Sequence, residues 1–289
     1  MDVDIKNQHY VWRHYLKPWM SNNKIWCARD SSPFNINPEK IAKEDYFYSA
    51  DQLNSSEKML IEFLIKMIGQ GGQFLLNSIY QMYITSSYAS EQIRKNTIEK
   101  YHGMVERSAI SILEKIYSGD LGFWNQEEER IRFSGFIGLQ YTRTKKTIER
   151  LTIALNNLKS YQEYPKDANP KKIAKVLSLL IGEKIGNWLY SSSQPKLLVN
   201  NSETGFITSD QPVCNLLAEP SDYSISPKEV KLYFPISPKI ALIFENKNET
   251  EKTNNYDFDL LNRFILKSSR EYVFSHSKQL LSRYKKRKT

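Results

Sequence analysis

The chain has 289 residues and a mass of 33.9 kDa, enough for one large domain or two small ones. Its 40% hydrophobic and 25% charged residues exclude an intrinsically disordered chain and indicate a folded globular protein. The formal net charge is +9, but six positive charges lie after position 277 with no acidic residue among them; subtracting them leaves +3 for the rest. We therefore expect a mildly basic body and a basic tail at residues 278–289, which either attracts phosphate groups or is simply a solvated terminus.

The cysteines and the lengths of the apolar runs indicate in which cellular compartment the protein is expected. Cys27 and Cys214 provide neither a disulfide framework nor the spacing of a metal site. The first residues lack the basic start and apolar core of a secretion signal, and no apolar run approaches the length of a membrane span. We therefore expect a cytosolic protein that does not enter a membrane.

Residues 1–55 are predicted to form a small β unit. The alternation of residues around 10–15 fits a short extended segment, whereas Val11, Tyr15 and Leu16 on one face would equally fit the start of a helix. A turn follows at residues 21–23 and then a strand at residues 24–29.

The middle of the chain, residues 56–192, repeats apolar residues at helical spacing. Glycines at residues 69–72 and 119–122 interrupt this pattern, and prolines bracket a loop near residues 165–170. We predict a helix from residue 55, a second apolar segment at 74–84, and long helices at about 90–117, 126–158 and 171–190.

The C-terminal part, residues 196–277, changes to short apolar runs separated by polar turns, a pattern that predicts strands. These strands lie at about 197–199, 206–207, 213–217, 230–234 and 240–244, and a helix at 256–268 and a strand at 272–274 follow. Because helices occupy the middle and strands both ends, we predict an α+β fold. In this fold a central helical bundle packs with an antiparallel sheet built from N-terminal and C-terminal strands, and residues 1–277 form a single domain.

One candidate for chemistry is a strand end near residue 210. Phe206 and Ile207 lead into Thr208, Ser209 and Asp210. A carboxylate in this position can act as a general base, a metal ligand or a substrate anchor. The alternative is that Asp210 caps a turn by accepting hydrogen bonds from backbone N–H groups.

A second candidate is the pair His9 and Arg13 near the start. Imidazole changes charge near neutral pH, so His9 can serve as an acid or a base. The planar guanidinium of Arg13 suits a phosphate or a carboxylate. The alternative is a half-buried histidine bonded to a backbone carbonyl, with Arg13 in a structural ion pair.

A third candidate is the polar strip on the predicted helix at 126–158, where Gln140 and Arg143 share a face. A semi-buried arginine requires an anionic partner, and Glu106 is the candidate. Arg143 is therefore either an anion-binding residue or half of a structural ion pair. His102 lies one helical turn from Glu106, but two ligands do not make a metal site. A divalent metal at Asp210 or Glu106 has no further support, and the cofactor stays unknown.

The motifs resemble a known family. Gln8-His-Tyr-Val11, Phe206-Ile-Thr-Ser-Asp-Gln-Pro-Val213 and Phe234-Pro-Ile-Ser-Pro238 are similar to segments of the bacterial domain of unknown function 4238. The resemblance spans nearly the whole chain. It implies that a group of polar residues coincides with the family's motifs, namely His9, Arg13, Gln140, Arg143, Ser209 and Asp210.

Two functions follow as hypotheses. In the first, the protein is a hydrolase of a phosphate-containing substrate, most plausibly a nuclease and by context a toxin or anti-phage effector. Its catalytic residues would be His9, Asp210 and Arg143, and its substrate-binding residues Arg13, Tyr10, Gln140, Ser209 and Glu106; RNA or DNA would be the partner through the arginines and the tail. In the second, the protein is a non-catalytic binding module whose charged cluster is structural.

Overall fold

The computed structural model of the chain describes residues 4–29, 32–68, 72–159, 164–220, 229–248 and 256–284. The α-helices are α1 Arg13–Leu16, α2 Ser55–Ile68, α3 Gln73–Ser87, α4 Glu91–Tyr117, α5 Glu127–Thr142, α6 Lys145–Leu158, α7 Pro170–Ser192, α8 Phe258–Ser268 and α9 Lys278–Arg283. The strands are β1 Asn7–His9, β2 Ile25–Ala28, β3 Phe34–Ile36, β4 Lys43–Asp45, β5 Ser193–Val199, β6 Thr208–Ser209, β7 Cys214–Asn215, β8 Leu232–Pro235, β9 Ile240–Asn246 and β10 Val273–Ser275. The fold is α+β, as predicted.

The N-terminal segment contains both conformations that its pattern allowed. β1 ends at His9, and α1 begins at Arg13. Trp12 between them is extended, with φ −60° and ψ 122°, so the chain changes from strand to helix within three residues. The strand predicted at 24–29 is confirmed as β2.

Helix α7 lies at the centre of the helical bundle, where α5 and α6 pack along it and α2 and α3 also contact it. Its five consecutive residues 176–180 are all buried. A helix that is buried around its whole circumference must be surrounded by other elements. The apolar run of α7 therefore makes it the element around which the bundle is built.

Glycines allow α5 and α7 to approach closely. A Cβ atom placed on Gly138 would lie 2.1 Å from the carbonyl oxygen of Gly182 and 2.7 Å from the backbone nitrogen of Gly186. Both contacts are with backbone atoms, which cannot rotate away as a side chain can. The distance between the two helices thus depends on the missing side chain at Gly138.

The prediction of one helix at 126–158 is wrong: the segment forms two helices, and Arg143 lies between them. α5 ends at Thr142, and Thr144 is extended, with φ −82° and ψ 155°. The Thr144 hydroxyl accepts a hydrogen bond from the Thr147 N–H at 3.3 Å, the geometry of an N-cap. The apolar periodicity continues through this break, which is why periodicity alone did not reveal it.

In the described residues, two four-stranded sheets and a two-stranded one replace the single predicted sheet. One has the order β3-β2-β10-β6, with Phe274 of β10 opposite Cys27 on one side and Thr208 on the other. This antiparallel sheet joins N-terminal and C-terminal strands, as predicted. The second has the order β5-β9-β8-β7, and β1 pairs with β4. The second sheet packs on the bundle through aromatic rings, for example Phe136 and Phe234 with centroids 6.2 Å apart.

The C-terminal region differs from the predicted tail. Residues 278–283 form α9, and Leu280, Leu281 and Tyr284 are buried. The Tyr284 hydroxyl donates a hydrogen bond to Asp259 at 2.6 Å. The basic tail predicted from residue 278 is therefore wrong for residues 278–284, because they pack on the fold; residues 285–289 lie outside the described residues.

None of the helices in the described ranges has both the length and the apolar character needed to cross a membrane.

Candidate functional site

Arg143 lies at the break between α5 and α6 and joins three distant segments. Its Nη2 donates to the backbone carbonyl of His9 at 2.5 Å, and its Nε donates to the Tyr48 hydroxyl at 3.0 Å. Its Nη1 donates to Oε1 of Glu106. The side chain is 1% exposed, so these contacts replace water for a fully buried cation. Each nitrogen of the guanidinium thus has a partner within the fold.

One face of α4 provides the acidic groups around Arg143. Glu99, His102 and Glu106 follow at three- and four-residue spacing, which places them on one side of the helix. Glu99 Oε2 lies 3.8 Å from Arg143 Nη2 and 3.8 Å from His102 Nδ1. Gln140 donates to Glu106 at 3.3 Å. The expected pairing of Arg143 with Glu106 is therefore present, whereas Glu99 and Tyr48 were not among the predicted site residues.

Burial changes the protonation of this cluster. It raises the pKa of Glu99 to about 7 and also raises the pKa of Glu106, while the nearby Arg143 acts in the opposite direction on both. It lowers the pKa of His102 well below its usual value, and Arg143 adds to this effect. Neither ring nitrogen of His102 hydrogen-bonds to another described residue. His102 is therefore neutral, and it lies beside Glu99, whose carboxyl titrates near neutral pH.

His9 takes part in this cluster through its backbone rather than its ring. The carbonyl accepts from Arg143, and the half-buried imidazole has an Nε2 atom without a hydrogen-bond partner among the described residues. Burial, followed by the charges of Lys43, Arg13 and Arg143, lowers the pKa of His9. The imidazole is therefore unprotonated at neutral pH, the form in which a histidine accepts a proton.

The carboxylate of Asp210 joins two strands. Oδ1 accepts from the N–H of Arg270 at 2.7 Å, and Oδ2 accepts from Glu271 at 2.5 Å and Tyr272 at 3.0 Å. Asp210 is 2% exposed and connects the end of β6 to the start of β10. Asp210 thus accepts hydrogen bonds from backbone N–H groups, as in the turn-capping alternative. These N–H groups, however, belong to residues 60–62 positions further along the chain rather than to its own turn.

The remaining predicted residues have separate environments. Arg13 forms an exposed ion pair with Glu39. The Tyr10 ring is buried against Phe47, with centroids 5.7 Å apart. Ser209 donates to the carbonyl of Gln211 at 3.1 Å, which closes its own turn. The structure therefore brings together His9, Gln140, Glu106 and Arg143, while Asp210, Ser209 and Arg13 make their hydrogen bonds elsewhere.

No cluster of three or more His, Cys, Asp or Glu side chains in the described part of the chain is arranged to hold a metal ion. The metal that the sequence left open at Glu106 or Asp210 thus gains no ligand set from these residues.

A cavity of about 330 Å³ lies on the other side of the α5–α6 break, between α6, α7 and the segment around β7. Much of its wall is apolar, formed by Tyr141, Leu151, Ile181, Ile185, Val213, Val230 and Phe264. Its volume lies within the range typical of small-molecule sites. This cavity could not be predicted from the sequence, because its wall comes from five separate segments of the chain.

The charged residues in the described lining of the cavity are cations. Lys146 and Arg150 line it, and none of the described lining residues is acidic. The Lys146 ammonium donates to the carbonyls of Pro220 at 2.9 Å and Ser268 at 2.8 Å. Burial raises the pKa of Cys214, another lining residue, to about 11, so its sulfur is a protonated thiol rather than a reactive thiolate.

These observations define an α+β protein with a buried charged cluster and, beside it, an apolar cavity with a positive wall. The chain belongs to the family described as "Protein of unknown function (DUF4238)", whose profile matches residues 7–279. The resemblance found in the motifs is thereby confirmed. Comparisons with curated proteins and with solved structures find no match.

Proposed function

We propose that this protein is a non-catalytic binding module whose ligand is a small amphipathic anion held in the cavity between α6 and α7. The composition of the cavity wall carries the proposal: apolar side chains cover much of it, and the charged residues among its described lining are Lys146 and Arg150. An apolar ligand body would be favoured by burial, and a negative group by the two cations.

The polar groups of the wall support an amphipathic rather than a strongly polar ligand. Gln211 donates to the carbonyls of Tyr141 and Val213, at 3.0 and 2.9 Å. Asn215 donates to the carbonyl of Glu229 at 2.9 Å and accepts from the Lys231 N–H at 2.9 Å. Because these amides already have partners in the protein, the main gain on binding would come from apolar contact and from charge.

In this proposal the charged cluster around Arg143, and Asp210, have a structural role. The three nitrogens of Arg143 donate to groups of the fold, and both Asp210 oxygens accept from backbone N–H groups. Arg143 and Asp210 are buried and neither lines the cavity, so a ligand in the cavity would not contact them. These residues have the contacts of groups that hold segments together.

Calorimetric titration of the intact chain with octanoate and with octylammonium tests the proposal. The two probes share an apolar tail, so a difference between them reports the preferred sign of charge. We expect octanoate to bind and octylammonium to bind at least about tenfold more weakly, a difference of about 1.4 kcal/mol.

A pair of tryptophan substitutions on α6 provides the matched control. Ala154 lines the cavity, whereas its exposed neighbour Ile153 does not. Ala154→Trp should prevent octanoate binding, and Ile153→Trp should leave it unchanged. Equal binding of the two probes, or octanoate binding that survives Ala154→Trp, contradicts the proposal.

The hydrolase stays the second candidate, with the cytosol as the expected compartment for either function. The observation in its favour is the unprotonated His9 imidazole, whose Nε2 has no partner among the described residues and whose surroundings include the cations Arg13 and Lys43. In this proposal His9 would take a proton from water, whose oxygen attacks phosphorus as the bond to the leaving oxygen breaks. RNA or DNA would be the substrate.

Nuclease assays on His9→Ala test this candidate. A catalytic His9 predicts loss of cleavage with a nearly unchanged melting temperature, because the backbone carbonyl that Arg143 uses is retained. No cleavage by the wild-type protein, or equal cleavage by the variant, would remove the candidate.

A further inference from the structure

An exposed apolar stripe runs along α2, on the side facing away from the bundle. Met59, Phe63 and Met67 follow at four-residue spacing and are 62%, 56% and 62% exposed. The buried residues of the same helix, Ile61 and Ile65, face the core. A helix with apolar residues on both faces has one face without a partner within the chain.

Helix α3, which packs against α2, also begins with exposed apolar residues. Phe74 at its start is 86% exposed, and Leu75 is 47% exposed. Of the fourteen large apolar side chains that are exposed in the described ranges, five therefore lie between residues 59 and 75. Such clustering, rather than any single exposed residue, marks an interaction surface.

The charged residues beside the stripe indicate which kind of partner it binds. Glu62 and Lys66 are exposed and lie one helical turn apart. Both lie on the same side of the stripe formed by Met59 and Phe63. A twofold axis near Phe63 would set two copies of α2 antiparallel. With Phe63 on the axis, Met59 would face Met67 of the second copy, and Lys66 of the second copy would lie two residues, roughly 3 Å along the helix axis, from the point opposite Glu62, within reach of its long side chain. Both the apolar and the charged positions are thus complementary to themselves, as a symmetric dimer requires.

The area is also sufficient for such a dimer. With about 200 Å² for a fully exposed large side chain, the five residues expose roughly 600 Å². Two copies together would bury on the order of 1,200 Å² from these side chains alone, the lower end of stable interfaces. We infer that the α2–α3 face, defined by Met59, Phe63, Met67, Phe74 and Leu75, is the interface of a symmetric homodimer of this chain.

Sedimentation equilibrium of the intact chain tests this inference. The wild-type protein should dimerise in a concentration-dependent way, and Phe63→Ser should raise the dimer Kd at least about tenfold by removing the central contact. Leu260→Ser is the matched control, because Leu260 on α8 is similarly exposed, at 62% against 56% for Phe63, but lies outside this face. It should leave the dimer Kd unchanged.

A charge exchange tests the orientation without altering the apolar residues. Glu62→Lys should weaken the dimer by placing like charges together, and the double variant Glu62→Lys with Lys66→Glu should restore it. A monomeric wild-type protein, a dimer insensitive to Phe63→Ser, or no restoration in the double variant would overturn the inference. A monomeric protein that co-floats with lipid vesicles in a density gradient, and whose Phe63→Ser variant does not, would also overturn the inference. The face would then bind a membrane surface.

Discussion

The guanidinium of Arg143 connects residues that are 37, 95 and 134 positions away in the chain, namely Glu106, Tyr48 and His9. Its position directly after α5 lets it contact α4, the segment after β4 and the end of β1 together. At the residue scale, this one side chain ties the N-terminal unit to two helices, and Gln8, which donates to the Lys95 carbonyl at 2.8 Å, adds a second contact with α4.

Replacing Arg143 with methionine should lower the free energy of unfolding by about 3–5 kcal/mol, because Glu106 would remain buried without its cation. Denaturant unfolding monitored by circular dichroism measures this loss. Arg13→Met is the control: its ion pair with Glu39 is about half exposed, and its loss should cost at most about 1 kcal/mol. Equal effects of the two substitutions would contradict a structural role of the buried pair.

Glu99 should make stability depend on pH. Burial raises its pKa from 4.5 to about 7, so between these values the folded protein retains a proton that the unfolded chain releases. The Glu99 contribution to the free energy of unfolding is therefore full below pH 4.5 and decreases as pH rises towards 7. His9 and His102 act oppositely, because burial lowers the pKa of each below 6.5 and their contribution grows as pH rises to that value.

Comparison with Glu99→Gln isolates the carboxyl, since both proteins contain the same histidines. The free energy of unfolding of the wild type minus that of the variant should decrease between pH 4.5 and 7, by on the order of 1–3 kcal/mol. Urea unfolding at several pH values measures it. A difference that stays constant with pH would show that Glu99 does not titrate differently in the folded state.

At the scale of elements, the contact between α5 and α7 limits which substitutions the bundle tolerates. Gly138→Ala should destabilise the protein by at least about 3 kcal/mol, because the new Cβ would lie 2.1 Å from the backbone oxygen of Gly182. Gly135→Ala, on the same helix, has no atom within 4 Å of its new Cβ. It should be neutral or stabilising by up to about 1 kcal/mol, since alanine favours helix more than glycine does.

Thermal unfolding of the two alanine variants distinguishes close packing from helix propensity. If both variants melt like the wild type, the two helices can move apart at little cost. In that case the glycines are not what sets their separation.

At the scale of the whole molecule, the basic C-terminus divides at Tyr284. Ending the chain after Tyr284 removes Lys285, Lys286, Arg287 and Lys288. Nucleic-acid binding at low salt, if present, should then weaken, and the slope of log affinity against log salt concentration should fall by up to about three to four.

Ending the chain after Ser277 should behave differently, because it also removes the buried Leu280, Leu281 and Tyr284. We expect a loss of at least about 3 kcal/mol in the free energy of unfolding. Filter binding at several salt concentrations and thermal unfolding measure the two effects separately. Equal stability of the two truncated chains would contradict the packing of α9.

Sequence patterns were enough to predict the α+β class, the location of most helices and strands and the family, and to name Glu106 as the candidate partner of Arg143. These follow from patterns within short windows, from the need of a buried cation for an acid, and from motifs. Only the tertiary structure decided the break at Thr144, the groups that Asp210 and Arg143 bind, the cavity and the unpartnered face of α2. Each depends on groups from distant parts of the chain, and local periodicity is the same whether a polar group meets water, a backbone amide or another side chain.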